Sequence, residues 1–126
     1  MTKYDVTHIS STATDGWVSD PLNAVEGEPD GKILFLRRAG SEGNTYMSGV
    51  FTVQPSVVPS TIQLDETLLV LEGEARIDFD DGESISIVQG DMVFLPKGTK
   101  LEWHFLTPFK EMFFVAGDGP PLELDF

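Results

Sequence analysis

A chain of 126 residues with 40% hydrophobic side chains suits one globular domain with a single core. Its 8 basic against 21 acidic residues, a net charge of −13, leave no basic footprint for nucleic-acid phosphates. It has no cysteine for disulfides or thiolate metal sites, and no apolar run near the roughly 20 residues of a membrane span or the shorter core of a signal peptide, so a cytoplasmic location is expected.

Residues 1–30 are rich in breakers: Asp15-Gly16, Asp20-Pro21, Glu28-Pro29 and Asp30-Gly31. They read as an arm packed on the domain through Trp17, Val18, Leu22 and Val25, with a short helical turn over 22–25. His8, alone between Thr7 and Ile9, reads as a surface residue. Residues 31–116 then carry the pattern of a β domain. A strand is expected over 32–38, a hairpin loop over 40–44 and the returning strand over 45–53. Pro55 and Pro59 punctuate the chain before it resumes at 60–64.

The clearest block runs from Asp65 to Gly98. Residues 67–71 are a β-branched and aliphatic run ended by Glu72-Gly73, and 75–79 alternate Ala, Ile and Phe with Arg76 and Asp78. Asp80-Asp81-Gly82 is a hairpin turn, since Asp tolerates and Gly prefers positive φ; it lacks the spacing of a calcium loop. Ser84–Val88 places Ile85 and Ile87 on one face, Gly90-Asp91 turns the chain, and Met92–Leu95 ends at Pro96-Lys97-Gly98. The carboxylates crowded here sit at turns or on the outward phase, where they keep sheet edges soluble. Residues 100–106 set Leu101, Trp103 and Phe105 against Glu102 and His104, and 110–116 form the last strand. The tail 117–126 is too rich in Gly and Pro for regular structure, and is expected to cross the surface or reach a neighbouring subunit. Many short strands between close turns indicate an all-β sandwich or barrel.

Glu66 followed by Gly73, then Gly90-Asp91 with Pro96-x-Gly98, resembles the paired motifs of the cupins. Asp65-Glu66, Leu71-Glu72-Gly73, Trp103 and Leu106-Thr107-Pro108 are most similar to the cupin 3 (DUF861) branch, over about residues 47–116. The resemblance implies a double-stranded β-helix, a jelly-roll barrel whose motifs face one another across its mouth, and a homodimer. The apolar stretches Ile33–Leu36 and Phe113–Val115 are the expected dimer edge. It also implies where a metal would bind: an H-x-H pair before the Glu and a third His after Pro-x-Gly. Here those positions hold Ser60, Ile62 and Leu101, so only Glu66 of four ligands remains. One carboxylate does not hold a transition metal against water. His104 has the opposite strand phase to Leu101 and Phe105 and should point out of the barrel. No metal and no cofactor are expected.

Strand alternation sketches what the barrel contains. With Glu66 inward, Leu68 and Val70 follow it, Ser60, Ile62 and Leu64 precede it, and Leu101, Trp103 and Phe105 face it; Tyr46, or its neighbour Met47, enters from the earlier hairpin. Asp65 points the other way, so it makes no carboxylate pair with Glu66. This is an apolar, aromatic cleft of the kind small molecules occupy. Desolvation there raises the pKa of a carboxyl and suits it to proton transfer near neutral pH. The expected function is binding of a mainly apolar or aromatic small molecule, with metal-independent isomerase, cyclase or lyase chemistry on Glu66. Trp103 and Phe105 would stack on the substrate, and Ser60 or Tyr46 would orient a carbonyl. The alternatives are a non-catalytic sensor and a metalloenzyme with unusual ligands.

Overall fold

Strands form wherever apolar and polar side chains alternate, and turns fall where Gly, Asp or Pro interrupts the alternation. A computed structural model describes residues 2–41 and 44–118. Among them are eleven strands: β1 (Val18–Asp20), β2 (Glu26–Gly27), β3 (Gly31–Ser41), β4 (Asn44–Val53), β5 (Ser56–Thr61), β6 (Asp65–Glu72), β7 (Glu74–Phe79), β8 (Ser84–Val88), β9 (Met92–Leu95), β10 (Lys100–Phe105) and β11 (Phe109–Gly117). They build two antiparallel sheets, ordered β1-β3-β4-β11-β6-β9 and β2-β5-β10-β7-β8. The fold is all-β, as expected. No helix of the described residues is long and apolar enough to cross a membrane.

The inward phase of each strand supplies the core. Val53, Leu68, Val70, Ile77, Leu95, Trp103, Phe105 and Phe109 pack into one cluster between the sheets. Ile33, Met47, Leu64, Phe113 and Val115 form a second, smaller one. Each fully buried side chain of this size contributes about 1.5–3 kcal/mol.

The motif residues close the barrel. Gly73 has φ 85°, and a Cβ there would lie 2.2 Å from the Pro108 carbonyl oxygen, so the turn accepts only glycine without rearrangement. Beside it the Glu74 N–H donates to Thr107 Oγ1 at 3.0 Å. Asp91 accepts the Val88 N–H on Oδ2 at 2.8 Å, while its carbonyl accepts the Val70 N–H at 2.9 Å. Asp65, exposed, accepts the Lys97 N–H at 2.9 Å.

Three expectations change. The backbone of 22–25 is not helical: β1 pairs with β3 and β2 with β5, so this part of the arm adds an edge strand to each sheet. Leu22 packs against the core, whereas Val25 is 67% exposed and holds the arm only through its N–H, which donates to the Val57 carbonyl at 2.8 Å. The strand expected over 60–64 begins earlier, at Ser56, and runs through Pro59. Beyond Val57 that strand has only β10 as a neighbour, so Pro59 has an open side that needs no N–H. Finally, Ile33, Phe113 and Val115 of the expected dimer edge are buried, and only Leu36 and Phe114 of it are exposed. Residues 42–43 of the hairpin loop and 119–126 of the tail lie outside the described residues.

Candidate functional site

Toward one end of the barrel the facing sheets do not fill the space between them, leaving a cavity of about 210 Å³. Its wall is aromatic: Phe35 of β3, Phe51 of β4, Trp103 and Phe105 of β10, and Phe113 of β11. The Trp103 and Phe105 rings lie 5.3 Å apart and nearly parallel, at 7°. Phe51 leans on Phe105 at 6.4 Å, and Phe35 meets Phe113 edge-on at 6.3 Å. Ser60 and Ile62 line the cavity, as does Met47.

Into this wall come three carboxyl groups, Asp20, Glu66 and Glu111. Glu66 sits on β6 with Val115 on one side and Leu95 on the other. Burial among apolar neighbours raises its pKa from the ordinary 4.5 to about 7. Glu111 is set between Phe51 of β4 and Val70 of β6 and is only 4% exposed. Its Oε2 is buried without a hydrogen-bond partner. Burial first, and then the nearby Glu66 charge, holds its pKa well above 4.5. Burial also raises that of Asp20. No Lys, Arg or His is among the described residues lining the cavity.

Of the residues singled out from sequence, Glu66, Ser60, Ile62, Trp103 and Phe105 meet at this one cavity. Leu68 and Leu101 point inward but belong to the packed cluster rather than the cavity wall. Tyr46 lies on the outer face: β4 turns Thr45, Met47 and Gly49 inward, and the Tyr46 hydroxyl instead accepts from Arg37 Nη2 at 3.3 Å. Met47 takes the inward place. Glu111 and Asp20 were not foreseen. The signal for Glu111 was present, since Phe109, Glu111, Phe113 and Val115 share one phase of a strand and the acid is the exception among them. Asp20 reads as part of an Asp-Pro turn, and only the pairing of β1 with β3 brings it to the cavity.

The donor set does not fit the metal that cupin barrels commonly hold. The ligand positions carry Ser60, Ile62 and Leu101, and no imidazole lines the cavity among the described residues. His8 is exposed. His104 faces outward, its Nε2 2.8 Å from Glu102 Oε1 and 3.0 Å from Asp78 Oδ2. Arg76 in turn donates to both Asp78 oxygens, at 2.9 and 3.3 Å, and these bonds hold the Asp78 pKa low. That cluster is a hydrogen-bonded ladder on the outer face of the five-stranded sheet, away from the cavity.

The model of the EutQ-like cupin domain family (Cupin_3) matches residues 40–113. Two curated relatives named acetate kinase EutQ are similar over part of the chain. The Escherichia coli K12 protein is 28% identical over 74 residues, and the Salmonella typhimurium LT2 protein 33% identical over 62 residues. These matches cover 59% and 49% of this chain but only 31% and 27% of the relatives' own lengths. Among solved structures, a EutQ structure from Salmonella typhimurium LT2 superposes with a TM-score of 0.60 at 26% identity, over 72% of each chain. A DUF861 protein from Pseudomonas syringae pv. tomato gives 0.72 at 19% identity, over 85% of this chain and 46% of that one, a likeness of fold alone.

Proposed function

From the premise that this chain belongs to the EutQ-like cupin domain family, we propose that its barrel binds a small, mainly apolar organic molecule and acts on it by metal-independent acid/base chemistry, with Glu66 as the proton carrier. The observation that supports this most is the setting of Glu66. Its carboxyl opens onto an aromatic cavity and is poised, with a pKa of about 7, between its acid and base forms. The ionised form removes a proton from a carbon beside a substrate carbonyl, and the electron pair moves onto the carbonyl oxygen. Ser60, a residue of the cavity wall, donates its hydroxyl to that oxygen. Where the substrate has a β,γ double bond, returning the proton to the γ carbon re-forms the carbonyl, moves the double bond into conjugation and completes an isomerisation. Trp103 and Phe105 hold the apolar body of the substrate.

The relatives' kinase name is not carried over. The match covers less than a third of their length, and the cavity wall offers, among the described residues, no Lys or Arg to meet a phosphate. Two further parts of the proposal are a cytoplasmic setting and a homodimer. For the dimer we place the partner on the outer face of the six-stranded sheet. There Met112, Leu69 and Met92 form one cross-strand row, and Phe114, Thr67 and Phe94 the next. Met92, Phe94, Met112 and Phe114 are 79%, 60%, 45% and 46% exposed.

The test of the chemistry needs no knowledge of the natural substrate. With phenylacetone in D2O, wild-type protein should speed deuterium exchange at the carbons beside the carbonyl, and Glu66→Gln should lose about 100-fold or more of that rate. Exchange at equal rates in both would overturn the catalytic role of Glu66 and leave a binding module.

A further inference from the structure

We infer that the barrel cavity selects a small organic cation, a protonated amine beside an apolar or aromatic group, and that the ammonium sits between the Glu66 and Glu111 carboxylates. This rests on the reading above that the cavity is a ligand site, and it names the ligand's class.

Charge is the first ground. Among the described residues, every titratable group facing the cavity is an acid: Asp20 from β1, Glu66 from β6 and Glu111 from β11. The other lining strands, β3, β4, β5 and β10, contribute aromatic, aliphatic and hydroxyl groups and no charge. An anionic ligand would meet carboxylates and find no cation to pair with. A purely apolar ligand would leave Glu111 as it stands, with a buried oxygen that nothing satisfies. Such an atom has lost its water and gained no partner in exchange. An ammonium group supplies both the missing N–H donor and the missing charge.

The wall is the second ground. Trp103, Phe105, Phe51, Phe35 and Phe113 surround the acids, and aromatic faces attract a desolvated cation through the ring quadrupole. Acids and rings together make a cage that tells a cation from a neutral molecule of the same shape. The cavity's volume, about 210 Å³, is below the roughly 300–1,000 Å³ of drug-sized sites, so the ligand is a single ring or a short chain.

Binding is then linked to protons. Without a cation, burial favours the neutral carboxyls; with one, the ionised forms are favoured and protons leave. Affinity therefore rises with pH through the neutral range and falls only when the amine itself deprotonates, near the ordinary amine value of about 10.

The experiment is isothermal titration calorimetry of the full chain with benzylamine, benzyl alcohol and benzoate. At about pH 8 benzylamine should bind at least about tenfold tighter than benzyl alcohol, and benzoate weakest of all. Benzylamine should weaken about tenfold by about pH 5.5, and titrations in two buffers of different ionisation enthalpy should show net proton release. Glu111→Gln, checked for folding by circular dichroism, should bring benzylamine to within about threefold of the alcohol. If that variant does not fold, the three-ligand comparison on wild-type protein decides alone. Benzyl alcohol or benzoate binding as tightly as benzylamine would overturn the cation while leaving the cavity a ligand site. A folded Glu111→Gln protein that keeps the full preference would overturn the placing of the ammonium. Binding of none of the three would overturn the ligand site itself.

Discussion

Replacing Glu111 by Gln keeps the shape of the side chain and removes its ability to ionise, so it isolates what burying this acid costs the fold. Glu111 is 4% exposed, and its pKa is raised well above 4.5 by burial and by Glu66. In the unfolded chain the same carboxyl ionises near 4.5. The native protein thus keeps a proton that the unfolded chain releases. Stability falls as pH rises past the unfolded value, and stops falling only beyond the raised folded one. At about pH 7.5, three units above 4.5, the ceiling on this loss is about 4 kcal/mol, at 1.36 kcal/mol per unit. Water reaching the cavity and side-chain relaxation leave about 1–2 kcal/mol of it. Glu and Gln each retain one unpaired polar atom when neutral, so that cost cancels between them. Urea unfolding followed by circular dichroism should therefore find Glu111→Gln more stable by about 1–2 kcal/mol at pH 7.5, a rise in Tm of roughly 3–10 °C, and within about 0.5 kcal/mol at pH 4.5. A variant no more stable than wild type at pH 7.5 would mean that the acid is ionised and compensated in the native barrel. An equal gain at both pH values would mean that the effect is packing. Either result refutes the reasoning.

Gly73→Ala should lower stability by about 2–4 kcal/mol in thermal or urea unfolding, because the new Cβ meets the Pro108 carbonyl at 2.2 Å and the residue has φ 85°. Gly82→Ala, also at positive φ but with open space around it, should cost only about 1 kcal/mol. Phe94→Glu, at a 60% exposed position, should leave Tm within about 1–2 °C and turn a dimer into a monomer by light scattering; a wild-type protein that is already monomeric would remove the proposed partner face.

The barrel was legible because its turns are written in residues with little conformational choice. Gly73, Asp80-Asp81-Gly82, Gly90-Asp91 and Pro96-Lys97-Gly98 each stand at a turn, and the strands between them follow the alternation closely. Where the sequence misled, a distant pairing decided. Leu22–Val25, between the breakers Asp20-Pro21 and Gly27, fits a helical turn as well as an extended crossing, and it is the pairing with Val57, reached by the Val25 N–H and by Glu26, that holds its end extended. Pro59 reads as an interruption until β5 is known to lack a second neighbour there. Glu66 was legible from alternation and motif alike. Choosing Met47 over Tyr46 required the phase of β4, which its run of small and polar residues does not announce.

Glu111 also shows why the family pattern says more about fold than about use. Most residues that carry the resemblance are engaged in closing turns: Gly73 against Pro108, Asp91 against Val70 and Val88, Asp65 against Lys97. They would be needed in any barrel of this connectivity, whatever it held. The acids on the inward phase are of the opposite kind. Nothing in the closure of the barrel uses Glu111, and an apolar side chain at its position would satisfy the core better. A residue that breaks the local packing rule without a structural return is where a functional demand is to be sought. Glu66, which belongs to both the motif and the cavity, is where the two requirements meet.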